Sequence, residues 1–370
     1  MRPGVGRHAR PMAGQEEKEG WEIVSIREHK RTRAKITLQE VAHQAGVSPM
    51  TVSNFINNKF QYMSDATRQR VAAAVADLNY RPDTAGRSLR SARHMSVGMI
   101  VVDESPLFLS DGSTTQLVSG LGNALNDEGY TLQLEGLRAR DLERSSLLRL
   151  VRTDGMCVLF AGKPALRRAM LASVERLNQP LIVFYERIND DAHDLCCVHL
   201  DDRKGGVLLA EHVFERGARR IMIVEMVLNQ WQCVDERVRA IRSIAAKRGG
   251  HVEVVGCGSG AFAEVQSAVG EAITKSGLPD AIMAVTDQIG IAILKLLKSR
   301  GVEVPEQVMV TGFNAFDFWR YSDPVLTTVR SPGYELGQAA GREMVRRLQT
   351  GAFSQKVIKL PVELVLGETT

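Results

Sequence analysis

Leu38-Gln-Glu-Val-Ala-His-Gln-Ala-Gly-Val-Ser-Pro-Met-Thr-Val-Ser-Asn-Phe-Ile-Asn57 holds two short helical periods separated by a tight turn. Val41, Ala42 and Ala45 share one face of the first period, and Val52, Phe55 and Ile56 one face of the second. Gly46 can take the positive φ of a sharp turn, Ser48 is placed to cap the second helix, and Pro49 stands in its first turn, where a missing N–H costs nothing. Val47 and Val52 pin the helices together, and Ala42 is small enough for close approach. The parts are those of a helix-turn-helix whose second helix exposes Pro49, Met50, Thr51, Ser53 and Asn54, a shape that enters the major groove of DNA. Helical hairpins with a glycine turn also occur in structural bundles, so the hairpin alone leaves both readings open.

Outward from this stretch, Val71, Val75 and Leu78 mark a third helix capped by Ser64 or Asp65, and Pro82 stops the pattern, which gives an all-α domain over 36–82. Residues 1–35 have no sustained periodicity and end in the basic run Arg27, Lys30, Arg31, Arg33 and Lys35, so they read as a disordered basic extension. Residues 83–94 form a polar connector with one large apolar residue, Leu89. Residues 1–94 carry 16 Lys+Arg against 9 Asp+Glu, whereas the remaining 276 carry 31 against 34. That asymmetry points to a polyanion-binding head on a neutral-to-acidic body.

From Ser96 onward, apolar strand-like runs alternate with helical ones: Val97 to Val102 before Leu117 to Asp127, Met156 to Phe160 before Leu166 to Leu177, and the same alternation through Val308 to Thr311. Such alternation predicts parallel sheets covered on both faces. The 370 residues exceed what one core organises, so 95–366 is expected to form two α/β lobes with a cleft between them. No apolar run spans a membrane and no apolar stretch follows the basic N-terminus, which opposes a secretory signal. Five cysteines without paired spacing read as reduced core thiols of a cytoplasmic protein.

The ordered set Ile36-Thr37-Leu38, Val41-Ala42, Ala45-Gly46-Val47-Ser48, Thr51-Val52-Ser53, Thr67-Arg68, Val71 and Leu78-Asn79-Tyr80 with Pro82 resembles the LacI/GalR family of bacterial transcription regulators. The resemblance continues through Gly98, Asp154-Gly155, Gly217, Gly312-Phe313, Leu326-Thr327-Thr328-Val329 and Leu336-Gly337, covering about residues 36 to 366. It implies a periplasmic-binding-protein-like, two-lobed body that binds a small-molecule effector, a sugar or related metabolite, and a homodimer on operator DNA. Met50 and Asn54, with Pro49 beside them, would then face base edges, and Thr37, Ser48, Thr51, Ser53, Asn57 and Tyr80 would hold the sugar-phosphate backbone. Asn suits adenine N6/N7 and Met50 offers only apolar contact, which implies an A·T pair where Arg-bearing relatives read G·C. The alternative is that Asn54 touches phosphate. The connector resembles the family's hinge helix, with Leu89 as a minor-groove wedge and Arg87 beside it, although Gly86 replaces the usual alanine; the plain alternative is a linker whose Leu89 packs on the body.

In α/β lobes ligands sit beyond the carboxyl ends of strands, which makes Asp103, Arg237 and Asp287 the cleft candidates, the last two by resemblance. Asp287 could instead cap a helix, Arg237 could be a surface residue, and Trp231 and Trp319 could stack on a sugar or simply fill the core. Ala240, Asn314 and Ala218 depart from residues frequent in the family and weaken any assignment of ligand. Gly256-Cys-Gly-Ser-Gly260 lacks the spacing of a dinucleotide fingerprint, and no histidine pair has metal-ligand spacing, so neither an enzyme nor a cofactor or metal is expected. A periplasmic sugar-binding protein would share the body but not the head.

Overall fold

The computed structural model describes residues 36–81, 93–150, 152–188, 194–228 and 230–370; the extension 1–35 and the connector positions Arg87 and Leu89 lie outside the described residues. The chain divides into two compact units, Met1–Asp83 and Thr84–Thr370.

In the first unit, helices α1 (Leu38–Ala45), α2 (Pro49–Ile56) and α3 (Asp65–Asp77) close on a small core. A capping box starts α1: Glu40 N donates to the Thr37 hydroxyl at 3.3 Å, and Thr37 N donates to the Glu40 carboxylate at 2.6 Å. Gly46 ends α1 at φ 62°, the left-handed conformation its sequence position demands. Val41, Val52 and Val71, one from each helix, are fully buried against one another. At roughly 1.5–3 kcal/mol for each such side chain, these three contacts supply much of what orients α2.

The second unit has two lobes. The first is a six-stranded, wholly parallel sheet in the order β11-β5-β4-β3-β1-β2, built from β1 (Ser96–Val102), β2 (Thr131–Leu137), β3 (Gly155–Phe160), β4 (Leu181–Phe184), β5 (Leu195–Leu200) and β11 (Val357–Leu360). Every residue of β1 is buried, with Val97, Met99 and Val101 in one core and Ile100 and Val102 in the other, as expected of a central strand covered on both faces. Helix α4 (Gly112–Asp127) covers the first of these faces together with α10 (Gly333–Thr350), and α5 (Pro164–Glu175) covers the second. Between α4 and α10 the backbones nearly touch: a Cβ on Gly120 would lie 2.0 Å from the Tyr334 carbonyl oxygen, and one on Gly337 would lie 2.1 Å from that of Leu117. Only glycine permits that approach.

The second lobe is a four-stranded parallel sheet in the order β7-β6-β8-β9, comprising β6 (Arg220–Glu225), β7 (His251–Gly256), β8 (Ala281–Ala284) and β9 (Met309–Thr311). It is dressed by α6 (Asp202–Glu215), α7 (Gln232–Lys247), α8 (Phe262–Ser276) and α9 (Asp287–Ser299). An antiparallel ribbon joins β10 (Thr328–Arg330) to β12 (Glu363–Val365). The chain therefore passes between lobes three times, after β5, between β10 and α10, and after β11. Its last residues return to the second lobe, where Val310 N donates to the Thr369 carbonyl at 2.9 Å and Thr327 N to the Thr369 hydroxyl at 2.8 Å. Cys157, Cys196, Cys197 and Cys257 are buried thiols, and Cys233 is half-buried.

Candidate functional site

The first unit offers the exposed face of α2. Met50 is 68% exposed at its N-terminal end, flanked by exposed Ser48 and Pro49, with Thr51, Ser53 and Asn54 half-buried along the same helix. No hydrogen bond within the described residues takes up the Asn54 side-chain amide. The neighbouring hydroxyls serve the helix: Ser48 accepts from Thr51 N at 3.2 Å, and Asn57 donates its amide to the Ser53 carbonyl at 2.7 Å. Thr37 belongs to the α1 capping box. Tyr80, 9% exposed, packs its ring into the three-helix core, so only its edge reaches the surface.

In the second unit, the interlobe cleft holds two connected chambers. The inner one, with about 40 Å³ of room, is walled by Leu159, Tyr185, Trp231, Cys233 and Arg237 and by Ser113 and Thr114 of α4. The outer one, about 240 Å³, is walled by Asp103, Ser105, Leu107, Ser259, Gln288 and Phe316. Asp111, Met226, Trp231 and Thr286 line both chambers. Asp103 follows β1 and accepts from Ser105 N at 2.7 Å, and Asp111 caps α4 by accepting both the backbone N–H and the hydroxyl of Thr114 at 2.9 Å. Burial pushes the Cys233 thiol up to about 12, so the sulfur facing the cleft stays protonated at neutral pH.

Arg237 is 4% exposed and its guanidinium is almost fully engaged. Nε donates to Asp202 Oδ1 at 2.8 Å, one terminal nitrogen to the Val285 carbonyl at 2.8 Å, and the other to Asp202 at 2.7 Å and Asn314 Oδ1 at 3.2 Å. The guanidinium plane lies 3.6 Å from the Phe313 ring centroid. Burial pushes the Asp202 carboxyl up, with Arg237 pulling it back; burial likewise opposes the Arg237 charge, and Asp202 together with the groups around it outweighs that opposition. Asp202 opens α6 just after the first crossing, and Asn314 also accepts from Ser331 at 3.3 Å beside the second. The one guanidinium of the inner chamber is thus tied to both crossings.

Asp287 is fully buried and lines neither chamber. Thr286 caps α9, and Asp287, one residue on, accepts from Phe316 N at 3.1 Å and from the Thr328 hydroxyl at 2.5 Å, fastening the loop that carries Asn314. Burial pushes its carboxyl up to about 7 against the pull of these donors. The folded state therefore holds a proton that the unfolded chain releases above the ordinary carboxylate range. Its contribution to stability is complete at acid pH and declines by about 1.4 kcal/mol per pH unit between roughly pH 4 and 7. Asp287→Asn removes this decline; parallel slopes for mutant and wild type in urea titrations from pH 5 to 8 would refute the assignment.

A second buried guanidinium reaches from one lobe to the other. Arg167, on α5 of the first lobe and 2% exposed, donates to the Gln230 carbonyl at 3.3 Å and to Gln232 Oε1 at 2.5 Å, and faces Asp235 at 3.7 Å, all on the second lobe. Its Nε side faces Glu186 at 2.5 Å, and it also donates to the Gly162 carbonyl. Gly162 N donates to the Gln230 carbonyl at 2.8 Å, and Arg187 pairs with Glu236 at 3.4 Å, so charges and backbone join the lobes along one edge. Burial pushes the Glu186 and Asp235 carboxyls up, and Arg167 pulls both down.

Of the cleft residues expected from sequence, Arg237 lines the inner chamber, Asp103 the outer one, and Trp231 both, while Trp319 is buried in a turn outside the cleft. Sequence reasoning missed Asp111, Tyr185, Thr286, Asp202 and Arg167. Asp111 carried a signal, an Asp before a Gly-Ser-Thr helix start, which its capping role explains. Arg167 carried none, because its partners on the other lobe lie more than sixty residues away. Among the described residues no group of three His, Cys, Asp or Glu side chains is arranged to hold a metal, and no helix is long and apolar enough to cross a membrane.

Residues 37–83 match the family described as bacterial regulatory proteins, lacI family, and residues 210–370 match the periplasmic binding protein-like domain. Among curated proteins, the HTH-type transcriptional repressor PurR of Photobacterium profundum is 28% identical over 347 residues, covering 90% of this chain and 98% of that protein. PurR of Aliivibrio fischeri is 28% identical over 338 residues, with 89% and 96% covered. Among solved structures, a transcriptional regulator CelR in complex with cellobiose aligns with TM-score 0.65 at 25% identity, over 90% of this chain and all of that one. The lac repressor dimer bound to operator and an anti-inducer aligns with TM-score 0.75 at 21% identity, over 90% and 99%, a likeness of fold. A helix-turn-helix head in one unit and a two-lobed parallel α/β body in the other, matched in that order along nearly whole relatives, place this chain in the LacI/GalR family of bacterial transcriptional regulators.

Proposed function

We propose that the protein is a homodimeric repressor that reads a near-palindromic operator through α2 and releases or tightens its grip when a small molecule occupies the interlobe cleft. The observation that carries the reading is the face of α2, where Met50 stands out in solvent and no partner among the described residues takes up the Asn54 amide. Asn54 is suited to adenine N6/N7 and Met50 to a thymine methyl, while Pro49 shapes the approach and Thr37, Ser48, Thr51, Ser53 and Asn57 line the backbone side, with the Tyr80 edge beside them. Arg87 and Leu89 of the connector would extend the contact into the minor groove. Two copies of one head match two half-sites related by a twofold axis. The protein acts where the chromosome lies, in the cytoplasm, and its cleft serves to bind the ligand.

Arg237 supplies the link from cleft to body shape. A ligand that competes for the Asn314 or Asp202 contacts perturbs two crossings at once, and by linkage operator DNA must change ligand affinity by the same factor. Asn54→Ala tests the DNA reading: binding to the preferred half-site should weaken by about 1–3 kcal/mol and the preference at one A·T pair should vanish. Binding by the mutant should still fall steeply with salt. A base-preference profile identical to wild type would assign Asn54 to phosphate instead.

A further inference from the structure

We infer that the turn joining α2 to α3 is the phosphate anchor of the head, with Lys59, Tyr62 and Arg68 holding the DNA backbone and Phe60 fixing their places. The inference rests on the reading of α2 as the operator-contacting helix and deepens it by naming where the charge attraction comes from. Thr37, Ser48, Thr51, Ser53, Asn57 and Tyr80, the described candidates for the backbone side, are all neutral. Neutral donors release no counterions, so they produce no steep dependence on salt. Residues 36–81 carry four cations, Lys59, Arg68, Arg70 and Arg81, against Glu40, Asp65 and Asp77. Two of those cations, Lys59 and Arg68, flank the Phe60 ring, one beside it in sequence and one stacked on its face.

The turn is folded back on the end of α2. Asn58 takes a left-handed φ of 55°, Lys59 N donates to the Asn54 carbonyl at 2.9 Å, and a single helical turn follows over Phe60–Tyr62. Lys59 therefore leaves the backbone beside the residue suited to the base edge. Phe60 is half-buried: its ring meets Phe55 of α2 edge-on, with centroids 5.9 Å apart, and the Arg68 guanidinium of α3 lies 4.0 Å from its centroid. One ring thus ties the turn to both helices. Stacking takes up the face of a guanidinium and leaves its N–H donors, which lie in the plane, free to point outwards. Lys59, Gln61 and Tyr62 around it are exposed, Tyr62 to 67%. Asp65 opens α3 in the same stretch, but no ion pair among the described residues joins a carboxylate to Lys59 or Arg68. An ammonium, a guanidinium and a phenol gathered on one braced turn are donors matched to phosphodiester oxygens, and a tyrosine has only two torsions to immobilise on binding.

The test uses the full-length protein and a duplex that the wild type enriches from a randomised library, with binding followed by fluorescence anisotropy from about 50 to 200 mM salt. Lys59→Ala, Arg68→Gln and Tyr62→Phe should each weaken binding by about tenfold. The loss should be the same for a duplex altered at the pair that Asn54 reads. Lys59→Ala and Arg68→Gln should also flatten the slope of log affinity against log salt by about 0.9 each, one phosphate apiece, whereas the neutral Tyr62→Phe should leave it alone. Phe60→Leu keeps apolar bulk but offers Arg68 no ring face, so it should flatten the slope as Arg68→Gln does, and Phe60→Tyr should restore it. A Phe60 that served folding alone would lower affinity without altering the slope, and that result would remove its positioning role. Unchanged affinity and slope in both Lys59→Ala and Arg68→Gln would overturn the anchor while leaving the α2 reading intact. A base preference altered by Lys59→Ala would place the turn on base edges and overturn the phosphate assignment. Failure of the wild type to enrich any duplex would overturn the operator reading and this inference with it.

Discussion

Replacing Arg237 with methionine is expected to lower the unfolding free energy by about 3–5 kcal/mol, the cost of leaving one member of a buried ion pair without its partner. Asp202 is 4% exposed and faces that guanidinium through two of its nitrogens, so the mutant retains a buried carboxylate that must find a proton or water. The loss should therefore shrink as pH falls and Asp202 is neutralised. A second substitution, Asp202→Asn in the Arg237→Met background, removes the orphan charge and should recover part of the stability, which distinguishes a charge effect from lost packing on Phe313. Urea unfolding followed by tryptophan fluorescence reads both. A loss below about 1 kcal/mol for the single mutant would mean that water reaches Asp202 freely.

Arg167→Met should open the body. Three of the side chain's contacts, to Gln230, Gln232 and Asp235, reach across from one lobe to the other, and they exist only while the lobes are together. Charge-assisted hydrogen bonds contribute about 1.5–3 kcal/mol each when made. Losing two shifts the closed-to-open ratio by roughly a hundredfold or more. Small-angle scattering of the ligand-free protein should report a larger radius of gyration, and ligand affinity should fall with it. Arg167→Lys keeps the charge but not the planar fork, and should fall between the two. An unchanged radius together with unchanged affinity would assign the Arg167 contacts to local packing alone.

The legible parts of this molecule were those written in local chemistry. The α1–turn–α2 hairpin followed from a capping serine, a proline and one glycine within a few residues of each other, and Val41 and Val52 are buried as their spacing required. The central strands β1, β3 and β4 announced themselves as unbroken apolar runs because both their faces are covered. By contrast β2, Thr131–Leu137, is an edge strand whose residues are mostly half-buried or exposed, so its run is broken by Gln133, Glu135 and Gly136. β11 spans four residues and pairs with β5 across some 160 positions, a contact that no local pattern encodes. In the cleft, Asp103 was reachable from its place after a strand and Arg237 from the family resemblance. The burial of Asp287 was not, since it depends on Thr328 and the Phe316 backbone arriving from a distant loop.

The threefold passage of the chain between lobes has a consequence for biosynthesis. When the ribosome has emitted β5, the first lobe still lacks α10 and β11, which are encoded roughly 130 and 160 residues later. At typical elongation speeds of about 5–20 residues per second, that interval lasts on the order of ten to thirty seconds. Throughout it, the apolar β5 has an unsatisfied edge, and the face of α4 around Gly120 lacks its covering helix. The nascent polypeptide thus carries an unpaired strand edge and an uncovered helix face until its final tenth is translated, and slow codons placed between β5 and β11 would lengthen that exposure rather than aid folding.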